Sequence, residues 1–203
     1  MNKLSEVKKD FVEFGNKMFI LFILAIISFV AGIIGWAVPA LGFINLILMI
    51  VYFVFLILAR GHIVNANKSL NNEDLDSFCK RILVAIITTI IGTIFLQIGL
   101  GGLFAILNGP GDLGSPAAIA GYIIFGILIL AGIILVIIAL IFDILAWSDM
   151  KGFFRDNKSM FPEDMAKKAE TGSLLMMLGA IPFVGFILRI IGSYFLSQLK
   201  DLE

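Results

Sequence analysis

Charge is what this sequence has least of: only 15% of its 203 residues are Asp, Glu, Lys or Arg, against about 25% in an average soluble domain. A chain so poor in charge, and 60% hydrophobic where soluble domains run at roughly 45–50%, does not make a water-soluble globule. The few charges cancel, with 15 basic and 15 acidic residues, so there is no electrostatic reason to expect a nucleic-acid partner. Cysteine is almost missing. Cys79 stands alone, which excludes an intrachain disulfide and a cysteine-based metal site; although Lys80 and Arg81 adjoin it, it has neither a histidine base nor a resolving thiol and reads as a packing residue. His62 is the only imidazole, and without Cys or a carboxylate at ligand spacing it reads as an interfacial residue rather than a metal ligand or proton relay. No Gly-x-Ser-x-Gly, His-Glu-x-x-His or P-loop pattern occurs. The expectation is a protein without enzymatic activity and without a cofactor.

What is abundant is apolar sequence, and it comes in blocks. A helix rising about 1.5 Å per residue needs about 20 apolar residues to cross a hydrocarbon core of about 30 Å. Blocks over 18–38, 41–58, 82–107 and 117–147 meet or approach that length, and a further hydrophobic segment, 172–196, is interrupted by Pro182. The first block is too long for the hydrophobic stretch of about 7–15 residues in a secretory signal. The expected fold is all-α: an integral membrane helical bundle forming a single transmembrane domain over 1–203. It has four full transmembrane helices plus a Pro-broken C-terminal segment, which is either a short hairpin or a fifth span.

The breakers sit between the blocks, around Pro39 and in the run from Asn108 to Pro116. Two longer polar connections occupy 59–81 and 148–171. In the first, Asn72 has the chemistry of an N-cap, with Glu73 and Asp74 at the positive end of the helix dipole. Leu75, Phe78, Cys79 and Ile82 then recur at helical spacing, which predicts an amphipathic start to the third span, lying in the membrane interface. In the second connection, Pro162 followed by Glu163 and Asp164 reads as a helix start. Trp36 and Trp147 flank spans and read as interfacial anchors.

Thirteen of the fifteen Lys and Arg residues lie before the first span or in the two polar connections, and the turns at Pro39 and Pro110 carry none. By the positive-inside rule this predicts a multi-pass protein of the cell membrane with its N-terminus and both polar connections in the cytoplasm. The exceptions are Arg189 and Lys200. A single span over 172–196 would carry both outward; a hairpin turning at Pro182 would keep them inside. The hairpin is favoured further by a short echo, in which Ala37-Val38-Pro39-Ala40-Leu41-Gly42-Phe43-Ile44 agrees with Ala180-Ile181-Pro182-Phe183-Val184-Gly185-Phe186-Ile187 at five of eight positions, or six with Val38 against Ile181.

Polar groups inside spans are the best functional pointers, because lipid offers them no partner. Asn45 and Gln97 fall at similar estimated depths in the outer half of the bilayer, which predicts a hydrogen bond between them. Asp143, one turn inside the fourth span, becomes the natural partner of Arg189 if the last segment is a hairpin. Gly109-Pro110-Gly111-Asp112 has the form of an intramembrane aspartyl protease motif, but Asp143 belongs at the opposite side of the bilayer, so the two carboxyls cannot share a proton. Ser28 with Gly32, Ala31 with Gly35, and Thr88 with Gly92 stand at small-xxx-small spacing, which suits close helix contact.

Met150-Lys151-Gly152-Phe153-Phe154, then Ala169-Glu170-Thr171-Gly172, and then Leu178-Gly179-Ala180-Ile181-Pro182-Phe183-Val184-Gly185 resemble small uncharacterised multispan membrane proteins of archaeal type. The resemblance covers about a quarter of the chain, and that family has no activity to carry over. The function expected is that of a scaffold, assembly or interaction subunit in the lipid bilayer, as a homo-oligomer or beside a membrane-protein partner. The alternative is a small transporter or channel that uses the broken final segment and Arg189.

Overall fold

A computed structural model describes residues 3–37, 42–109, 114–181 and 184–202, with side chains described from 4–32 and from 47 onward within those ranges. Among them every regular element is helical: α1 (Lys3–Ala37), α2 (Gly42–Leu70), α3 (Glu73–Asn108), α4 (Pro116–Asp156), α5 (Glu163–Leu178) and α6 (Gly185–Ser197), with short 3-10 turns at Lys158–Met160 and Gln198–Asp201. Of the five prolines, Pro116 and Pro162 lie among the described residues, and neither interrupts a helix. Pro116 opens α4 and Pro162 precedes α5, positions where a missing N–H costs nothing. Four helices are long and apolar enough to cross a membrane, which is the architecture of a helical membrane protein. At 16 and 13 residues, α5 and α6 are too short to do so.

The helices overrun the apolar blocks. α3 and α4, of 36 and 41 residues, would rise about 54 and about 61 Å, well beyond a core of about 30 Å. The two polar connections are therefore largely helix rather than loop. The first shrinks to Asn71 and Asn72. Asn71 takes the left-handed conformation at φ 50° that ends helices, and Asn72 caps α3 by accepting from the Leu75 N–H at 3.1 Å, as the sequence predicts.

The chain divides into two compact units, residues 1–82 with 143–203 and residues 83–142. In the first, the core lies at the charged ends of the helices. Phe11, Phe14 and Met18 of α1, Ile63 of α2, Leu75 and Phe78 of α3, and Trp147, Met150, Phe153 and Phe154 of α4 are all fully buried. Phe11 stacks on Phe153 at 5.5 Å and meets the edge of Phe161 at 5.1 Å, geometries that add to simple burial. The face formed by Leu75, Phe78, Cys79 and Ile82 is buried in this core. It is not the interfacial membrane face expected of it, because protein and lipid both reward an apolar stripe and periodicity alone cannot tell them apart.

The last hydrophobic segment is a hairpin. α5 and α6 run antiparallel, and a Cβ on Gly172 would stand 2.9 Å from the Gly192 carbonyl oxygen, as would one on Gly192 from that of Gly172. Only glycine permits that approach. The sequence echo also has a structural counterpart: its two glycines, Gly42 and Gly185, are the first residues of α2 and α6, so both copies lie at the junction of a helical hairpin.

In the second unit the membrane-length parts of α3 and α4 pack by the same device. A Cβ on Gly92 would fall 3.1 Å from the Gly132 carbonyl oxygen, and one on Gly132 2.9 Å from that of Gly92. Of the Thr88 and Gly92 pair, Gly92 thus marks a real contact. Gly32 has open space around it, so the Ser28 and Gly32 pair does not, and Gly35 lies outside the residues whose side chains are described.

Candidate functional site

α6 is held against α1 along its length, and those contacts fix its depth. Lys200 sits over the Phe19 ring at 4.0 Å, Tyr194 lies 5.5 Å from Phe22, and Phe186 stacks on Phe29 at 5.2 Å. Phe29 is about 11 residues beyond Met18, where the first apolar block begins, or about 16 Å along the helix. The tip of the hairpin therefore stands about halfway along the apolar stretch of α1, while its far end is level with the start. Non-helical backbone at membrane depth is tolerated only where protein covers it or a cavity adjoins it.

Near the tip, Arg189 donates from Nη2 to Asp143 Oδ2 at 2.5 Å and from Nε to the Gly179 carbonyl at 3.2 Å. The second bond satisfies a carbonyl at the end of α5 that has left the helical ladder. Asp143 is buried, with its side chain 11% exposed, and its other oxygen accepts from the Trp147 indole N–H at 3.1 Å. The hairpin thus joins Asp143 and Arg189, as its topology predicts. Trp147 requires a correction. It is fully buried, edge-on to Phe78 at 5.3 Å, and serves the carboxylate one turn before it on α4, so it is not an interfacial anchor. A buried indole N–H needs an acceptor, and Asp143 supplies one.

Tyr52 of α2, which sequence reasoning did not single out, lines the same cavity as Arg189. Tyr52 and Arg189 share a cavity of about 290 Å³ whose other walls are Ala25 and Ser28 of α1, Met49 of α2 and Phe186 of α6. A second ion pair links Asp149 of α4 to Arg81, whose Nη1 reaches both carboxylate oxygens at 2.6 and 2.8 Å. Two aspartates on one end of α4 thus receive arginines from two other helices.

The remaining sequence-derived candidates separate. Gln97 is exposed, and the side chain of Asn45 lies outside the described residues, as does Asp112, so the Asn45 to Gln97 bond has no structural description. His62 Nδ1 stands 3.6 Å from Asp10 Oδ1, a carboxylate far away in sequence. Cys79 is buried, and its carbonyl accepts from Arg60 Nε at 2.7 Å. Among the described residues no group of three or more His, Cys, Asp or Glu could hold a metal ion. The chain matches no protein-family model, no curated protein and no solved structure.

Proposed function

We propose that this helical membrane protein is a non-enzymatic assembly subunit of the cell membrane, with its N-terminus and the charged ends of its helices in the cytoplasm. The observation that carries the reading is the aromatic core of Phe11, Phe153, Phe154 and Phe161 at the charged end of the first unit. A packed core of this kind makes those helix ends a rigid platform rather than loops, and a rigid platform is suited to docking a partner. The Asp143 and Arg189 charges supply a further argument: they satisfy each other and nearby polar groups, as a structural clasp does. The partner is a membrane protein or a second copy of this chain. Crosslinking in native membranes followed by purification under denaturing conditions tests the reading: a discrete adduct of defined mass supports it, and only monomer at every crosslinker length overturns it.

A second reading, a small transporter or channel, is favoured by one observation, the half-length hairpin with an arginine near its tip. Broken helices that bring polar backbone to mid-membrane are the working parts of many transporters. Purified protein in liposomes separates the two readings, since solute flux above protein-free vesicles belongs to the second alone.

A further inference from the structure

We infer that the cavity between α1, α2 and the tip of α6 is a binding site for a neutral, membrane-soluble carbonyl compound of the ketone or quinone class. The inference holds whether or not the protein transports anything.

Three features define the ligand. The first is depth. Ala25 lies about seven residues inside the start of the first apolar block, and Tyr52 about six residues before the second block ends at Leu58. Both walls place the cavity about 10 Å into the apolar zone at about 1.5 Å per residue. The ester groups of bilayer lipids lie at the edge of that zone, so a polar group that reaches this cavity belongs to a molecule able to submerge it. The second is charge. Arg189 is already paired with Asp143, so an anion would add an uncompensated negative charge in a low-dielectric site, and a cation would face the guanidinium; either is costly. A neutral ligand is not.

The third feature is hydrogen-bonding capacity. A guanidinium has five N–H donors, and the acceptors that Arg189 meets among the described residues are Asp143 and the Gly179 carbonyl. Its side chain keeps 29% of its surface exposed and lines the cavity. The Tyr52 phenol, which lines the same cavity, adds an O–H donor. The site therefore offers donors to an acceptor-only group, while Met49, Phe186 and Ala25 offer apolar walls. A carbonyl on a hydrocarbon or aromatic body meets both demands.

The test uses decylubiquinone as the probe and the full chain in phosphatidylcholine nanodiscs. A Trp36→Phe background leaves Trp147, which is hydrogen-bonded to Asp143, as the only fluorophore of its kind. Saturable quenching of Trp147 is expected, with the dissociation constant raised at least about five-fold by Tyr52→Phe, which removes the donor but keeps the ring. Ser28→Leu, which fills the cavity from α1, should abolish saturation, with thermal melting of both variants confirming that they fold. Quenching that rises linearly and identically in all three proteins means simple partition into the bilayer and overturns the proposal. So does a phospholipid that native mass spectrometry finds bound at one per chain and that the quinone fails to displace.

Discussion

At the scale of single residues, the clasp of Asp143, Arg189 and Trp147 was half legible in the sequence. Asp143 and Arg189 are the only Asp, Glu, Lys or Arg in the stretches 117–147 and 172–196, and an isolated charge in an apolar run demands a partner. Once the last segment is a hairpin, geometry leaves each the other. Removing one partner strands a buried charge, so Asp143→Leu should destabilise the protein by about 3–5 kcal/mol. Combining Asp143→Leu with Arg189→Met should recover most of that loss in thermal unfolding; a double variant no more stable than Asp143→Leu alone would show that the two side chains do not act as a pair. Trp147 was the illegible member. A tryptophan ending an apolar run suits a membrane interface as well as it suits a protein core, and only the packing against Phe78 decides. Because its N–H serves a buried carboxylate, Trp147→Phe should cost about 1–3 kcal/mol, measurable in the same melts. Tyr52 carried no signal at all, since one hydroxyl on an apolar helix is ordinary.

At the scale of elements, the sequence reveals helix starts better than helix ends. Asn72 before Glu73 and Pro162 before Glu163 mark the starts of α3 and α5 because capping is local chemistry. Where α2 and α4 stop is not local. Both continue past their apolar blocks because Ile63 and Ala66 on one, and Met150, Phe153 and Phe154 on the other, find a protein core. The stripe of Trp147, Met150, Phe153 and Phe154 is present at helical spacing, yet in a chain this apolar it is easily lost among residues that face lipid. The same context dependence governs glycine. Gly192→Leu should open the α5 and α6 hairpin, since even a Cβ would stand 2.9 Å from the Gly172 carbonyl oxygen, at a cost of about 1–3 kcal/mol or more. Gly32→Leu, made where nothing lies within 4 Å, should shift stability by no more than about 0.5 kcal/mol. Equal losses in the two melting curves would mean that the hairpin does not depend on glycine contact.

At the scale of the whole molecule, the proposed reading turns on which way the helices face, and charge and packing support the same orientation. The Lys and Arg residues in the first half of α1, near the junction of α2 and α3, and after the apolar part of α4 gather at one set of helix ends. The hairpin adds Lys200 to that set, because it returns the chain to Phe19 and brings the backbone of Leu199 and Lys200 against Gly15. Arg189 alone stands deeper, and its charge is met by Asp143. Translocating any of the charged ends would carry several cations across the membrane against the positive-inside rule. The turn between α3 and α4, bounded by Asn108 and Pro116, has no Lys or Arg to oppose its crossing. Asn108 is exposed at the end of α3, and Lys158 follows α4 with its side chain 47% exposed, so a cysteine at either site is open to a reagent. Cys79 is buried, and Cys79→Ala removes it from the assay. With an impermeant maleimide on intact cells, Asn108→Cys should label at once and Lys158→Cys only after permeabilisation. A reporter fused after Glu203 should be active on the cytoplasmic side, as the hairpin requires. Labelling of Lys158→Cys on intact cells would invert the whole topology, whereas a correct cysteine pattern with an extracytoplasmic reporter would overturn the hairpin alone.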